Sequence, residues 1–372
     1  MAALGRAAIA VSRDAYVRPG RYRFPFPPFP RGWFAVAWGE EVPAGAVVPL
    51  HFFGRDLVAF RTEQGQAVVA DAHCPHLGAH LGYGGVIEDN CIRCPFHHWK
   101  FDESGRCVEI PFQSRPSSRA RLHRWPVAEV DGMILVWHDL DGSEPDWFVQ
   151  PMSEAQAFCT PQAPADCSWT LRTHVQEICE NAYDIAHFPA VHGMGLPPNA
   201  QLTFEGERST VTFDTLSNGQ AFGLPGEFPT KVRMDLQGLG VLQADTVLPE
   251  FGFCFRNSLY MTPIDEEHIC LRAAMSVRKL GDDDTTASLQ EVWVKTFAMD
   301  LPKDFQIWEN KVYVARPELS RVDGPIGRMR RWAHQFYELA AEPAAADNIL
   351  QMTAADPQTE GRQMAAAVGI VK

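Results

Sequence analysis

Cys74-Pro75-His76 and Cys94-Pro95-Phe96-His97 form a Cys-x-His pair and a Cys-x-x-His pair, with seventeen residues (77–93) between them. Two thiolates and two imidazoles in that order suit a sulfide-bridged pair of irons, with the cysteines on one iron and the histidines on the other. Neutral imidazole donates less charge than thiolate, so the histidine-bound iron accepts an electron more readily than it would in an all-cysteine cluster. The spacing predicts a [2Fe–2S] centre on Cys74, His76, Cys94 and His97 that takes and passes single electrons. Structural zinc is the rival, because Cys91-x-x-Cys94 also occurs and His97 and His98 follow it. Zinc on Cys74, Cys91, Cys94 and one histidine would leave His76 without a role, whereas the cluster makes Cys91 a buried spectator. Gly78, Gly82, Gly84 and Gly85 permit the tight backbone of a ligand loop, and Pro75 and Pro95 stiffen both loops.

A second constellation lies in Glu180-Asn181-Ala182-Tyr183-Asp184-Ile185-Ala186-His187-Phe188-Pro189-Ala190-Val191-His192. Asp184 and His187, three apart, would share one face of a helix. His192 follows just past Pro189, where the chain can turn back toward the same point. Two histidines and a distant carboxylate make the facial triad that holds Fe(II) with positions open for O₂ and substrate. A His-x4-His pair alone is a weak signal, since a histidine near a helix end is often just hydrogen-bonded. A one-electron relay elsewhere in the chain gives it weight, because the electron needs a destination. Asp304 is the expected carboxylate, in the first turn of an amphipathic segment; Asp300 competes, and Asp304 could instead favour the helix N-terminus.

The elements that must position these groups fall into two parts. FPFPPFPRG (24–32) is too proline-rich for helix or central strand and reads as an extended lead-in. Short apolar runs with turn residues between them (VVPLHFF, LVAFRT, AVVADA, Val108–Pro111, Met133–Trp137) indicate a small antiparallel β domain over 30–145. In the second part, 169–188 reads as an amphipathic helix that Pro189 should end. STVTFDTL, KVRMDLQ, GVLQADTVL, FGFCFRNSLYM and HICLRAAMSV then predict an antiparallel sheet, and helical periodicity returns from Gln290. The expected class is α+β: an antiparallel β domain, then a sheet packed by helices over 146–372.

Composition sets further bounds. The 372 residues suffice for two domains, 46% are hydrophobic, and the net charge of −13 with no long basic run argues against nucleic acid or an anionic membrane as partner. No apolar run reaches a membrane span, and Arg6, Arg13 and Asp14 interrupt the start in a way that disfavours a secretory signal. Nine scattered cysteines fit a reducing cytoplasm better than a disulfide framework. There is no Gly-x-Gly-x-x-Gly after a strand, so a nicotinamide or flavin module is not expected and electrons must come from another protein. Arg115, Arg119, Arg121 and Arg124 could dock an acidic ferredoxin, or simply line a solvated loop. Phe222, Phe251, Phe253, Phe255 and Met261 suit an apolar pocket, or an ordinary core.

Together, DAHCPHLGAHLG, CPFHHWKFDESGRCVEIPF, ENAYDIAHFPAVHG, PRGWFAVAWGEEVPAG and RRWAHQFY resemble the oxygenase component of Rieske non-haem iron oxygenases. Within it the chain looks like the group of 3-ketosteroid 9α-hydroxylase and the cholesterol 7-desaturases. The resemblance implies a Rieske domain followed by a helix-grip catalytic domain, one [2Fe–2S] cluster and one Fe(II) per chain, and a homotrimer in which each cluster faces a neighbour's iron. It implies an NAD(P)H-dependent reductase, with or without a ferredoxin, and O₂-dependent oxidation of an apolar, steroid-like substrate. Asp184 matches the carboxylate that would link His187 to a cluster histidine across the interface. His98, where many members have glycine, is shared with arylamine oxygenases and oxidative cyclases of tripyrroles, which keeps such tailoring reactions as an alternative. His98 itself is expected to pack or hydrogen-bond beside the cluster. A Rieske electron carrier without catalytic iron is the more distant alternative.

Overall fold

The computed structural model describes residues 22–337, apart from 114, 165–166, 199 and 220–224. Residues 22–31 run without strand or helix, as the prolines require, and then eleven short strands follow. They are β1 (Gly32–Trp38), β2 (Val47–Phe52), β3 (Arg55–Arg61), β4 (Ala67–Asp71), β5 (Val86–Glu88), β6 (Cys91–Arg93), β7 (Lys100–Phe101), β8 (Cys107–Glu109), β9 (Arg124–Trp125), β10 (Val127–Val130) and β11 (Met133–His138). They make three sheets, ordered β1-β11-β10, β2-β3-β4-β9 and β5-β6-β7-β8. Register in the last is set by a two-residue turn, Asp89-Asn90, with φ of +53° and +62°, the left-handed pair that a tight hairpin needs. One sequence-predicted ligand loop joins β4 to β5 and the other joins β6 to β7, so this hairpin fixes one loop against the other.

The second part is built on β12 (Ser168–Leu171), β13 (Ala200–Glu205), β14 (Arg208–Asn218), β15 (Glu227–Gln237), β16 (Val241–Leu248), β17 (Phe253–Pro263) and β18 (Ile269–Val277). They form one antiparallel sheet in the order β12-β18-β17-β16-β15-β14-β13. Helices α1 (Val175–Asn181), α2 (Asp283–Asp300), α3 (Phe305–Asn310) and α4 (Ile326–Ala333) accompany it. Val175, Ile178, Trp293, Trp308 and Met329 from the helices share one core with Val211, Leu236, Phe255 and Leu271 from the sheet.

The helix expected over 169–188 is much shorter. Trp169–Leu171 pairs with Ile269–Leu271 as an edge strand, α1 ends at Asn181, and Phe188–His192 is a separate π-helical turn that contains Pro189. β-branched Thr170 and the neighbouring bulky residues satisfy a sheet edge as readily as a helix face, and the open edge of β18 decides between them. Residues 338–372 of the expected second domain lie outside the described residues.

The two parts meet along β1 and β17. Thr262 Oγ1 donates to the Ala35 carbonyl at 2.6 Å, and Arg272 pairs with Glu41 at 2.7 Å. Trp33, Met133 and Trp137 share a core with Val241 and Tyr260.

Candidate metal centres

Cys74 and Cys94 open two loops with matching hydrogen bonds. Cys74 N–H donates to Ala79 O and Gly78 N–H to Cys74 O, both at 2.9 Å; Cys94 N–H donates to Trp99 O at 2.8 Å and His98 N–H to Cys94 O at 3.1 Å. Each loop therefore needs a left-handed residue four positions after its cysteine, and these are Gly78 (φ +76°) and His98 (φ +60°). The fold brings all four predicted cluster residues together. Both cysteines are buried in one small core with Leu81, Ile92 and Phe101. The His76 and His97 ring centroids lie 4.5 Å apart, with planes at 72°.

The donor chemistry fits an iron–sulfur cluster. His76 Nδ1 is buried without a hydrogen-bond partner, and Trp99 stacks on that ring at 4.4 Å. Burial, with Cys94 alongside, pushes the Cys74 thiol up to about 11, so the thiolate forms only when a metal displaces its proton. Cys91 is half-buried rather than buried, and its charged neighbours are Asp102, Glu103, Lys100 and Asp89, outside the four-residue group. His98 is exposed on the loop, not packed beside the cysteines.

The second centre forms where α1, the π turn and the end of α2 converge. Nitrogens of His187 and His192 and a carboxylate oxygen of Asp304 lie within 4.8 Å of one another. His187 Nδ1–H donates to the main-chain carbonyl of Asp184, which leaves the Nε2 lone pair for a metal; Asn181 Nδ2 sits 3.1 Å from that Nε2. His192 Nε2 lies 3.2 Å from Asp304 Oδ2, and its Nδ1 lies 2.9 Å from Asp300 Oδ2. Burial alone would lower His192, yet Asp300 and Asp304 outweigh it and raise it to about 9. Burial likewise opposes ionisation of Asp300, but His192 and Lys303 hold it below the ordinary carboxylate range.

The two candidate carboxylates thus separate by position: Asp304 beside both histidines, and Asp300 within ion-pair distance of His192 Nδ1 on its other side. Asp304 is buried and stands at the N-terminus of α3, where its side chain makes no capping hydrogen bond. Asp184 is half-buried, in a turn rather than on a helix face, and burial is the main cause that raises its carboxyl above the usual range. Asn181 was legible only as part of the quoted motif; nothing in its spacing marked it as a neighbour of His187.

Above these groups opens a cavity of ≈ 650 Å³, lined by Ile178, Met234, Leu242, Leu259, Trp293 and Trp308 among others. Asn257 also lines it, its Oδ1 accepting from Trp293 Nε1 at 2.9 Å, so its amide Nδ2 remains for a ligand. The expected pocket residues Phe251, Phe253, Phe255 and Met261 do not line this cavity. Phe255 stacks on Trp293 at 4.4 Å and, like Met261, is fully buried core; Phe222 lies outside the described residues. Phenylalanine alternation in a strand marks a buried face without saying which stretch of that face meets open space.

Comparison with known proteins agrees with this geometry. Residues 32–129 match the Rieske [2Fe-2S] domain, and residues 136–337 match the 3-ketosteroid 9alpha-hydroxylase C-terminal domain. Cholesterol 7-desaturase nvd of Bombyx mori is 32% identical over 333 residues, covering 84% of this chain and 70% of that protein. The probable 3-ketosteroid-9-alpha-monooxygenase oxygenase component of Rhodococcus rhodochrous is 30% identical over 330 residues, 83% of this chain and 80% of that protein. Dicamba monooxygenase bound to dicamba shares the fold with a TM-score of 0.60 at 18% identity, over 82% of this chain and 97% of the other. NdmA of Pseudomonas putida CBB5 with caffeine does so with a TM-score of 0.62 at 17% identity, over 82% and 89%. With both centres and both domains in place, the chain belongs to the Rieske non-haem iron oxygenases, as an oxygenase component with a [2Fe–2S] cluster, a mononuclear iron and a catalytic domain of the 3-ketosteroid 9α-hydroxylase type.

Proposed function

We propose that this oxygenase oxidises a steroid-class substrate bound over an iron held by His187, His192 and Asp304. The observation that carries the reading is the placement of those three side chains at one end of the largely apolar ≈ 650 Å³ cavity. That size suits a compact polycyclic ligand with few polar groups, and the named relatives act on cholesterol and 3-ketosteroids. Asn257 offers its amide to one oxygen function of such a ligand, and Trp293 holds that amide in place.

When bound, the cluster relays single electrons and the Fe(II) activates O₂. The chain's own contribution is positional. Cys74, His76, Cys94 and His97 would hold the cluster, the Asp184 carbonyl fixes the His187 ring, Asp300 sets a negative charge beside His192, and the largely apolar lining receives the substrate. Electrons come from a separate protein, an NAD(P)H-dependent reductase with or without a ferredoxin.

In the assembly we propose, a homotrimer, the Asp184 carboxylate bridges His187 to a cluster histidine of the neighbouring subunit. Exposed apolar residues beside the cluster loops support that arrangement: Leu77 (67%), Tyr83 (69%) and Phe96 (59%). The domains divide near residue 145, and the nine free thiols suit the cytoplasm.

The test is turnover under ¹⁸O₂ with a 3-ketosteroid and, separately, with cholesterol, using reduced electron donor and mass spectrometry. Gain of one ¹⁸O, or loss of two hydrogens with matching O₂ consumption, is the expected result. Iron-replete protein that leaves both steroids unchanged while oxidising an arylamine would replace the steroid reading with the tailoring one.

A further inference from the structure

We propose that Phe112 with Arg115, Arg119, Arg121 and Arg124 is the landing site for an acidic electron-transfer protein that reduces the cluster. The inference rests on the reading above that electrons arrive from a separate protein. Residues 112–124 carry these four arginines and no aspartate or glutamate, in a chain of net charge −13. All four are exposed, and among the described residues none has a carboxylate within ion-pair distance. Arginines elsewhere on the molecule are mostly neutralised: Arg31 by Asp139 and Asp146, Arg61 by Glu129, Arg93 by Glu88, Arg233 by Asp235 and Arg256 by Asp245. The nearest, Arg106, is taken by Asp102. An unneutralised basic strip attracts an acidic partner and steers its approach.

Phe112 supplies a second, independent observation. It is fully exposed, at 110% relative accessibility, and its backbone stands at φ +64°, a left-handed conformation that a bulky residue rarely holds. A strained aromatic offered to solvent beside a charged strip has the form of a docking anchor, with charge steering the approach and the ring giving grip. Val108 adds a further exposed apolar contact.

The strip is also close to the cluster. Cys107 N–H donates to Ala120 O at 3.0 Å and Leu122 N–H to Gly105 O at 2.8 Å, which ties the segment to β8. Its buried side chains Ala120 and Leu122, with Ile110 just before it, belong to the same small core as Cys74 and Cys94. A protein seated on the arginines thus lies over side chains that share a core with the cysteine ligands.

The probe is a purified acidic plant-type [2Fe–2S] ferredoxin, pre-reduced and mixed with the holoenzyme in a stopped-flow instrument. Cluster reduction is followed as ionic strength rises, in the wild type, the double variant R119E/R121E and Phe112→Gly. Reduction by dithionite, visible spectrum and elution volume are recorded for each. The wild-type rate should fall with salt, R119E/R121E should be roughly tenfold slower at low salt with little salt dependence, and Phe112→Gly should be slower without losing the salt dependence. Dithionite rates and spectra should not change. A wild-type rate indifferent to salt, or a double variant as fast as wild type, would overturn the proposal. So would a changed oligomeric state in the double variant, which would make the strip a contact between copies. Absence of a cluster spectrum in the wild type would instead defeat the reading on which the proposal rests.

Discussion

At His98 the backbone is wound to φ +60°, where the paired loop has Gly78 at φ +76°. An L-residue in that region costs about 1–2 kcal/mol, part of which glycine would give back through the greater freedom it adds to the unfolded chain. His98→Gly should therefore raise the unfolding free energy by about 0.5–1 kcal/mol with the visible spectrum intact; a bleached protein would make His98 a ligand. Asp304 offers the complementary case, where the loss is chemical and not conformational. Asp304→Ala removes the carboxylate oxygen that lies 3.2 Å from His192 Nε2, so one iron per chain should be lost while the cluster absorption stays. Full iron content by metal analysis in that variant would pass the ligand role to Asp300. The proposed cluster residues stand out in the sequence because a two-iron centre tolerates little variation in ligand type or spacing. The carboxylate of the second centre was less legible, since only the fold decides which side of a helical turn faces the histidines.

The lead-in and α1 are joined through His174. Its Nδ1 accepts from Gln176 N–H at 3.1 Å at the start of α1, and its ring packs against Phe24 and Phe26, at 5.4 and 4.7 Å between centroids. Burial drives its pKa down to about 3, the Pro27 and Pro28 carbonyls opposing this only weakly. His138, buried with Nδ1 at 3.0 Å from the Pro30 carbonyl, is lowered to about 4 for the same reason. Both histidines stay neutral in the folded chain but protonate in the unfolded one near pH 6.5. Their stabilisation is complete above that value and is lost as pH falls from 6.5 toward 4 for His138 and 3 for His174. By pH 5 each should have given up about 2 kcal/mol. Melting temperatures between pH 7.5 and 5 should fall less steeply in His174→Phe than in the wild type, and equal slopes would show that His174 does not titrate on unfolding. The proline-rich lead-in was legible because proline excludes the alternatives. The strand at Trp169–Leu171 was not, because its pairing depends on Ile269–Leu271, a hundred residues away in sequence.

Electron transfer across the proposed assembly is a question for the whole molecule and its copies. His97 is exposed with Phe96 packed on its ring, and Leu77 and Tyr83 of the paired loop are exposed as well. Asp323 and Lys311 are charged neighbours of Asp184, and the segment that carries them exposes Val312, Val314, Leu319 and Val322. In the homotrimer proposed above, these two faces would meet head to tail, the kind of contact that can close into a ring. Copies deficient in different centres can therefore rescue one another. Cys74→Ser should lack the cluster and Asp304→Ala the mononuclear iron, and each alone should be inactive. Dissociated, mixed in equal amounts and reassembled, they should regain about a quarter of wild-type turnover, since an intact donor meets an intact acceptor at one contact in four under random assembly. A path inside each chain would leave the mixture inactive, because no single subunit would hold both centres. The same mixture with Asp184→Ala introduced into the cluster-deficient copy removes the bridging carboxylate from every productive contact. Its turnover should fall well below that quarter while both spectra and the metal content remain those of the parent mixture.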